Sequence, residues 1–169
     1  SSDIASRTSM DDDIYIAGSD NEYYENKMDN IASNGVLSGL PFPWDSFNKD
    51  TRGLEPGHCI YVYGRQKSRK TWLVLFMALY YWSLGLKILI FTREMSKEEL
   101  MWRLIALGTK SNISDIMKVN LTTKGREKVS KFLVGLKGSE RLIISDNNDG
   151  FSGFKTTIEQ VKPDMVFHD

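Results

Sequence analysis

An apolar run of strand type, Cys59-Ile-Tyr-Val-Tyr63, leads directly into Gly64-Arg-Gln-Lys-Ser-Arg-Lys-Thr71, and an apolar stretch of helical spacing follows. This order of strand, loop and helix constrains the chain more than any other feature. Backbone N–H groups in such a loop curl around phosphate oxygens, and the helix N-terminus adds positive potential. A lysine at the helix start reaches the β- and γ-phosphates of a nucleoside triphosphate, and a hydroxyl beside it ligates Mg²⁺. The candidate phosphate-binding residues are therefore Gly64, Arg65, Gln66, Lys67, Ser68, Arg69, Lys70 and Thr71, with Thr71 also a metal ligand. One residue departs from the pattern G-x-x-x-x-G-K-[ST]: Arg69 stands where the second glycine is expected. If the backbone there is left-handed, the side chain strains it by about 1–2 kcal/mol. Equally, it brings a cation near the phosphates. The alternative reading of the loop is a basic strand-to-helix connection with no ligand.

From His58 onward the pattern is regular. His58–Tyr63 reads as a strand, Lys70–Leu84 as a helix ended by Gly85, and Lys87–Thr92 as a second strand. Ser96 with Glu99 three residues later is a capping box, opening a helix to about Leu107. Ser114–Val119 reads as a helical turn and Thr123–Leu136 as an amphipathic helix. Arg141–Ser145 is a third strand, Gly153–Val161 a helix and Met165–Phe167 a fourth strand. Strands alternating with helices predict βαβ units and a parallel sheet. Nearly continuous apolar strands predict that both faces of the sheet are covered. The expected fold is thus α/β with at least four parallel strands.

The first 34 residues differ from the rest. Residues 1–33 carry eight acids and two bases, leaving 20 bases against 14 acids in the remainder of a chain whose formal net charge is zero. Residues 1–19 show no periodicity and read as a disordered or docked arm. In residues 20–33, Tyr24, Met28 and Ile31 lie at i, i+4, i+7, which predicts a short helix with a thin apolar stripe. Two regions follow from this: 1–34, an acidic arm with a short helix, and 35–169, the α/β core. A mildly basic core permits nucleic-acid or nucleotide binding without showing it. Cys59 is the only cysteine, so no internal disulfide forms, in keeping with a reducing compartment such as the cytoplasm. The apolar stretch Trp72–Leu86 is too short to span a membrane.

Three acids lie at carboxyl ends of strands, the edge where open parallel sheets collect their ligands. Asp169 follows Met165-Val-Phe-His168 and is a candidate Mg²⁺-associated carboxylate. Glu94, in Phe91-Thr-Arg-Glu-Met-Ser96, is placed to orient and deprotonate a water; its other reading is an exposed glutamate favouring a helix dipole. Asp146 reads better as part of an Asp-Asn-Asn-Asp-Gly turn. His58 and His168 lack a second ligand at metal spacing, and Met95, Met101 and Trp102 read as core.

In combination these segments resemble the RecA-like ATPase domain of DnaB-type replicative helicases, phage versions above all. Ser38–Gly57, ending Gly-Leu-Glu-Pro-Gly, is similar to the family's entry segment. Gly64–Thr71 takes the Walker A position, Ile88–Ser96 resembles the strand with the Glu-Met-Ser motif, and Met165–Asp169 resembles the Walker B strand. The resemblance implies a P-loop NTPase using ATP and Mg²⁺, with Glu94 as catalytic base and Asp169 supporting the metal. It also implies a hexameric ring translocating on single-stranded DNA in DNA replication, joined through the linker helix at 20–33. A primase or helicase loader is a further implied partner, and the host-cell cytoplasm the implied location. Asp169 would fall part way through such a domain, so the fold is expected to stop after the Walker B strand. On that reading the DNA-binding loops and arginine finger lie outside this chain, and the fragment alone is inactive. Two other readings remain open: another RecA-like ATPase of recombinase or clock type, and a non-hydrolysing nucleotide-binding interaction module.

Overall fold

The computed structural model describes residues 21–34, 39–65, 69–146 and 150–169. The acidic arm of residues 1–20, Ser38 and the loop residues Gln66, Lys67 and Ser68 lie outside the described residues. The chain divides into two compact units at Ile60/Tyr61.

Among the described residues the first unit holds two helices, α1 (Asn21–Asn34) and α2 (Asp45–Asp50). Helix α1 forms where its Tyr24, Met28 and Ile31 stripe predicts, yet Tyr24 and Met28 are 51% and 61% exposed. The Gly/Pro-rich segment after it closes on itself. Leu40 and Leu54 form an antiparallel bridge with both backbone bonds made, at 3.0 and 2.8 Å. Gly39 permits that approach, since a Cβ there would sit 2.7 Å from the Leu54 carbonyl carbon. The side-chain amide of Asn48 completes the closure. Its Oδ1 accepts from the Phe42 N–H at 2.7 Å and its Nδ2 donates to the Phe42 carbonyl at 2.9 Å.

The second unit is an α/β layer structure. Three parallel strands, β1 (Ile88–Phe91), β2 (Leu142–Ser145) and β3 (Met165–His168), form a sheet in the order β2-β1-β3. All four residues of central β1 are buried, as its unbroken apolar run requires. Helices α3 (Lys70–Ser83), α4 (Lys97–Thr109), α5 (Ile113–Met117), α6 (Thr123–Ser139) and α7 (Gly150–Val161) connect and flank it. The register shows which face each helix covers. Phe91 pairs with His168, and both rings meet Phe154 of α7, at 4.5 and 6.3 Å between centroids. Phe167, one residue earlier and so on the opposite face, meets Tyr81 of α3 at 6.5 Å. Leu75, Ala78 and Tyr81 of α3, Ile88–Ile90 of β1, and Leu100 and Leu104 of α4 are fully buried and form the core. A second cluster of Ile105, Ala106 and Ile116 gathers Trp72, Trp102 and Phe132 around it.

The expected four-strand sheet needs correction. His58–Tyr63 forms no strand and joins neither edge of the sheet; Tyr61 and Tyr63 are 72% and 87% exposed. The segment has strand-type residues, but a strand is stabilised by its partner rather than by its own propensity. Among the described residues the sheet ends at β2 and β3, and no strand pairs with 58–63. The helix with the expected capping box holds. Ser96 and Glu99 form the reciprocal capping box of α4, and the helix extends to Thr109, two residues beyond the expected end.

Candidate functional site

Three elements converge at the carboxyl edge of the sheet. Strand β3 delivers Asp169 there, and its ladder continues one residue past the strand: the Asp169 N–H donates to the Phe91 carbonyl at 3.0 Å. On the β2 side, the Thr92 N–H donates to the Ser145 carbonyl at 3.0 Å. Helix α3 begins at Lys70, and Thr71 on its first turn points its hydroxyl at Asp169. Thr71 Oγ1 lies 2.9 Å from Asp169 Oδ2 and 3.1 Å from Oδ1. Two residues singled out from the sequence, 98 positions apart, thus share one hydrogen bond.

The start of α3 differs from that of other helices in the unit. Helices α4, α5 and α6 each close their N-terminus with a side-chain oxygen, from Ser96, Asn112 and Thr122. Helix α3 has no side-chain cap and no acid in its first turn. Among the described residues, then, no side chain caps its leading N–H groups, an arrangement that favours an anion. The cap residue is Arg69, at φ 64° and ψ 26°, in the left-handed region. An arginine thus occupies the conformation that glycine adopts without cost. Lys70 Nζ reaches back across the loop to the Gly64 carbonyl at 3.0 Å. Arg65 is exposed.

Glu94 is exposed on the turn between β1 and α4. That turn is tied to the Asp169 backbone, because the Arg93 N–H donates to the Asp169 carbonyl at 3.4 Å. The structure thus brings Thr71 to Asp169 and Lys70 to Gly64, and holds the Glu94 turn against Asp169.

At this edge one residue escaped the sequence reading, and a second makes a contact that it did not foresee. Thr92 is buried, and its hydroxyl bonds both backbone groups of Met95. The available signal was a threonine immediately after a strand, since such hydroxyls often bond backbone a few residues on. Asp146, expected only in a turn, forms an ion pair with Lys97 at 2.9 Å. The Lys97 hydrogen bond holds its carboxyl below the usual carboxylate range. His58 accepts a hydrogen bond at Nδ1 from the Glu55 N–H, 3.3 Å away, which suits the structural role expected of it.

A hydroxyl and a carboxylate meeting at the end of an uncapped helix form a donor set suited to Mg²⁺. That ion takes one or two protein oxygens and completes its shell with phosphate and water. Among the described residues no group of three or more His, Cys, Asp or Glu side chains forms an all-protein metal cage. No helix among them is long and apolar enough to cross a membrane.

Residues 39–164 match the family described as DnaB-like helicase C terminal domain. The match includes the bridge at Leu40–Leu54, residues 64–71 and the Glu94 turn, and stops before β3 and Asp169. No curated protein matches the chain.

Proposed function

The chain belongs to the DnaB-like helicase C-terminal domain family, and from this membership we propose that it is the nucleotide-binding part of an ATP-driven DNA helicase. The observation that carries the reading is the Thr71–Asp169 hydrogen bond. It joins the start of the uncapped helix to the acid at the end of the neighbouring strand, which Walker A and Walker B residues require.

In this reading the first-turn N–H groups of α3 and the Lys70 ammonium bind the phosphates of ATP. Lys70 exchanges its bond to the Gly64 carbonyl for a phosphate oxygen, which as a charged acceptor is the stronger partner. Thr71 and Asp169 hold Mg²⁺, which when bound neutralises charge on the phosphates. Glu94 accepts the proton of the attacking water. Hexamer formation through α1, translocation on single-stranded DNA, contact with a primase or loader, and a cytoplasmic location are further parts of the proposal, supported by the family. The exposed Tyr24 and Met28 on α1 suit a helix that docks elsewhere. The domain division proposed is 1–34 as arm and linker helix and 35–169 as ATPase core.

A second reading is favoured by Arg69. A left-handed arginine in place of glycine is what a loop released from tight nucleotide binding would tolerate, leaving an interaction module that does not hydrolyse ATP. Calorimetry of ATP–Mg²⁺ binding with Lys70→Ala as control separates the two. Micromolar-range binding abolished by Lys70→Ala supports the ATPase reading. Absence of binding that Arg69→Gly restores supports the degenerate loop.

A further inference from the structure

The turn bearing Glu94 has an internal clamp. Thr92 is only 2% exposed. Its hydroxyl donates to the Met95 carbonyl at 2.8 Å and accepts from the Met95 N–H at 3.3 Å. One hydroxyl can do both, since it carries one donor and two acceptor lone pairs. Arg93 and Glu94 are the two residues enclosed between clamp and clamped. The base of the turn is fixed as well, by the Thr92 N–H on Ser145 and the Arg93 N–H on Asp169. Beyond it, Ser96 and Glu99 lock the first turn of α4 at 3.2 and 3.3 Å, and Lys97 is held by Asp146.

From these contacts we infer that Thr92 is a positioning residue for Glu94: its buried hydroxyl sets the backbone of the turn and so where the Glu94 carboxylate stands at the sheet edge. The inference rests on the reading of Glu94 as proton acceptor. A base must sit within hydrogen-bond reach of the proton it takes, and displacement by about 1 Å costs on the order of 10²-fold in rate. A β-branched residue at 92 also restricts χ1, which keeps the hydroxyl aimed.

The test compares Thr92→Val, which keeps the shape and loses the hydroxyl, with Thr92→Ser, which keeps the hydroxyl, in the full-length protein as it assembles, with Glu94→Gln as the control. Thr92→Val is expected to lower kcat for ATP hydrolysis by roughly 10- to 100-fold with KM and ATP affinity unchanged, while Thr92→Ser stays within about threefold of the parent. Exchange of the Met95 amide is expected to accelerate at least about tenfold in Thr92→Val and not in Thr92→Ser, read without nucleotide. Parent-like turnover in Thr92→Val, while Glu94→Gln abolishes hydrolysis, overturns the positioning role and leaves the Glu94 reading standing. Equal loss in Val and Ser variants also overturns it, since packing would then explain the effect. Undiminished hydrolysis in Glu94→Gln, or none in the full-length parent, removes the Glu94 reading and the inference with it.

Discussion

The hydroxyl of Thr71 donates to the carboxylate of Asp169, 2.9 Å from Oδ2, and so fastens the first turn of α3 to the end of β3. Hydrogen bonds to charged groups contribute about 1.5–3 kcal/mol net, and partial exposure puts this one at the lower end. Thr71→Val and Asp169→Asn should each lower stability by about 1 kcal/mol. The double variant should lose less than the sum, since Thr71→Val removes the bond whose charged acceptor Asp169→Asn neutralises. Urea denaturation of the three proteins measures the coupling. In calorimetry, both variants should abolish the gain in ATP affinity that Mg²⁺ confers; retention of that gain in either would remove it from the proposed metal site.

Arg69 sits at φ 64°. Relief of left-handed strain by Arg69→Gly is worth about 1–2 kcal/mol, and glycine's extra freedom in the unfolded chain returns roughly 0.5–1 of it. The net expectation is a gain of about 0.5–1 kcal/mol and a rise of about 2 °C in melting temperature. Arg69→Ala keeps the conformation and should bring no such gain. A differential scanning calorimetry series checks both.

Gly108 is where α4 meets α6. A Cβ there would lie 2.2 Å from the Phe132 ring, and that ring packs in the second cluster and against Trp82 at 6.3 Å. Helix propensity alone favours alanine by about 1 kcal/mol. Overpacking costs about 1–3 kcal/mol and decides the sign. Gly108→Ala should therefore destabilise by about 1 kcal/mol. Combination with Phe132→Leu, which frees the space, should make the alanine harmless.

Tyr81 is fully buried, and among the described residues its hydroxyl has no hydrogen-bond partner. Burial pushes its pKa up, and the neighbouring Tyr80 adds to the shift. An unsatisfied buried hydroxyl costs about 1–3 kcal/mol in desolvation. Tyr81→Phe removes that cost and keeps the ring against Phe167, so stability should be unchanged or higher by up to about 1 kcal/mol. A loss beyond that range in thermal unfolding would mean that the hydroxyl is bonded in solution.

The Lys97–Asp146 pair gives a pH dependence of defined sign. Lys97 holds the Asp146 carboxyl below its usual range, so the folded state binds that proton more weakly than the unfolded one. The pair's contribution is complete above the unfolded carboxylate pKa and is lost as pH falls through the lowered folded value. Both side chains are about half exposed, so salt should screen the effect. Carboxyl titration by NMR should show Asp146 returning to the ordinary range in Lys97→Met or in high salt.

Local patterns made most of this molecule legible in advance. The 3.6-residue spacing of α1, α3 and α6, the Ser96–Glu99 box and the unbroken apolar run of β1 each act within a few residues, and each element formed where its pattern lay. The strain at Arg69 was legible too, because a glycine missing from a loop pattern marks the position that needs a left-handed backbone. The convergence of Lys70–Thr71, Glu94 and Asp169 could be expected from their places at the carboxyl ends of strands, but no spacing along the chain says that Thr71 and Asp169 touch. That contact depends on β3 pairing beside β1 in register and on α3 lying across the sheet. The same non-local requirement explains Cys59–Tyr63, whose residues suit a strand but which found no partner edge. It also explains the Lys97–Asp146 pair, which became visible only when β1 and β2 ended side by side. Sequence determined the elements and the chemistry at their ends, since propensity, capping and periodicity are local. Tertiary structure alone decided which strands pair and which side chains meet, since those outcomes depend on burial shared between distant segments.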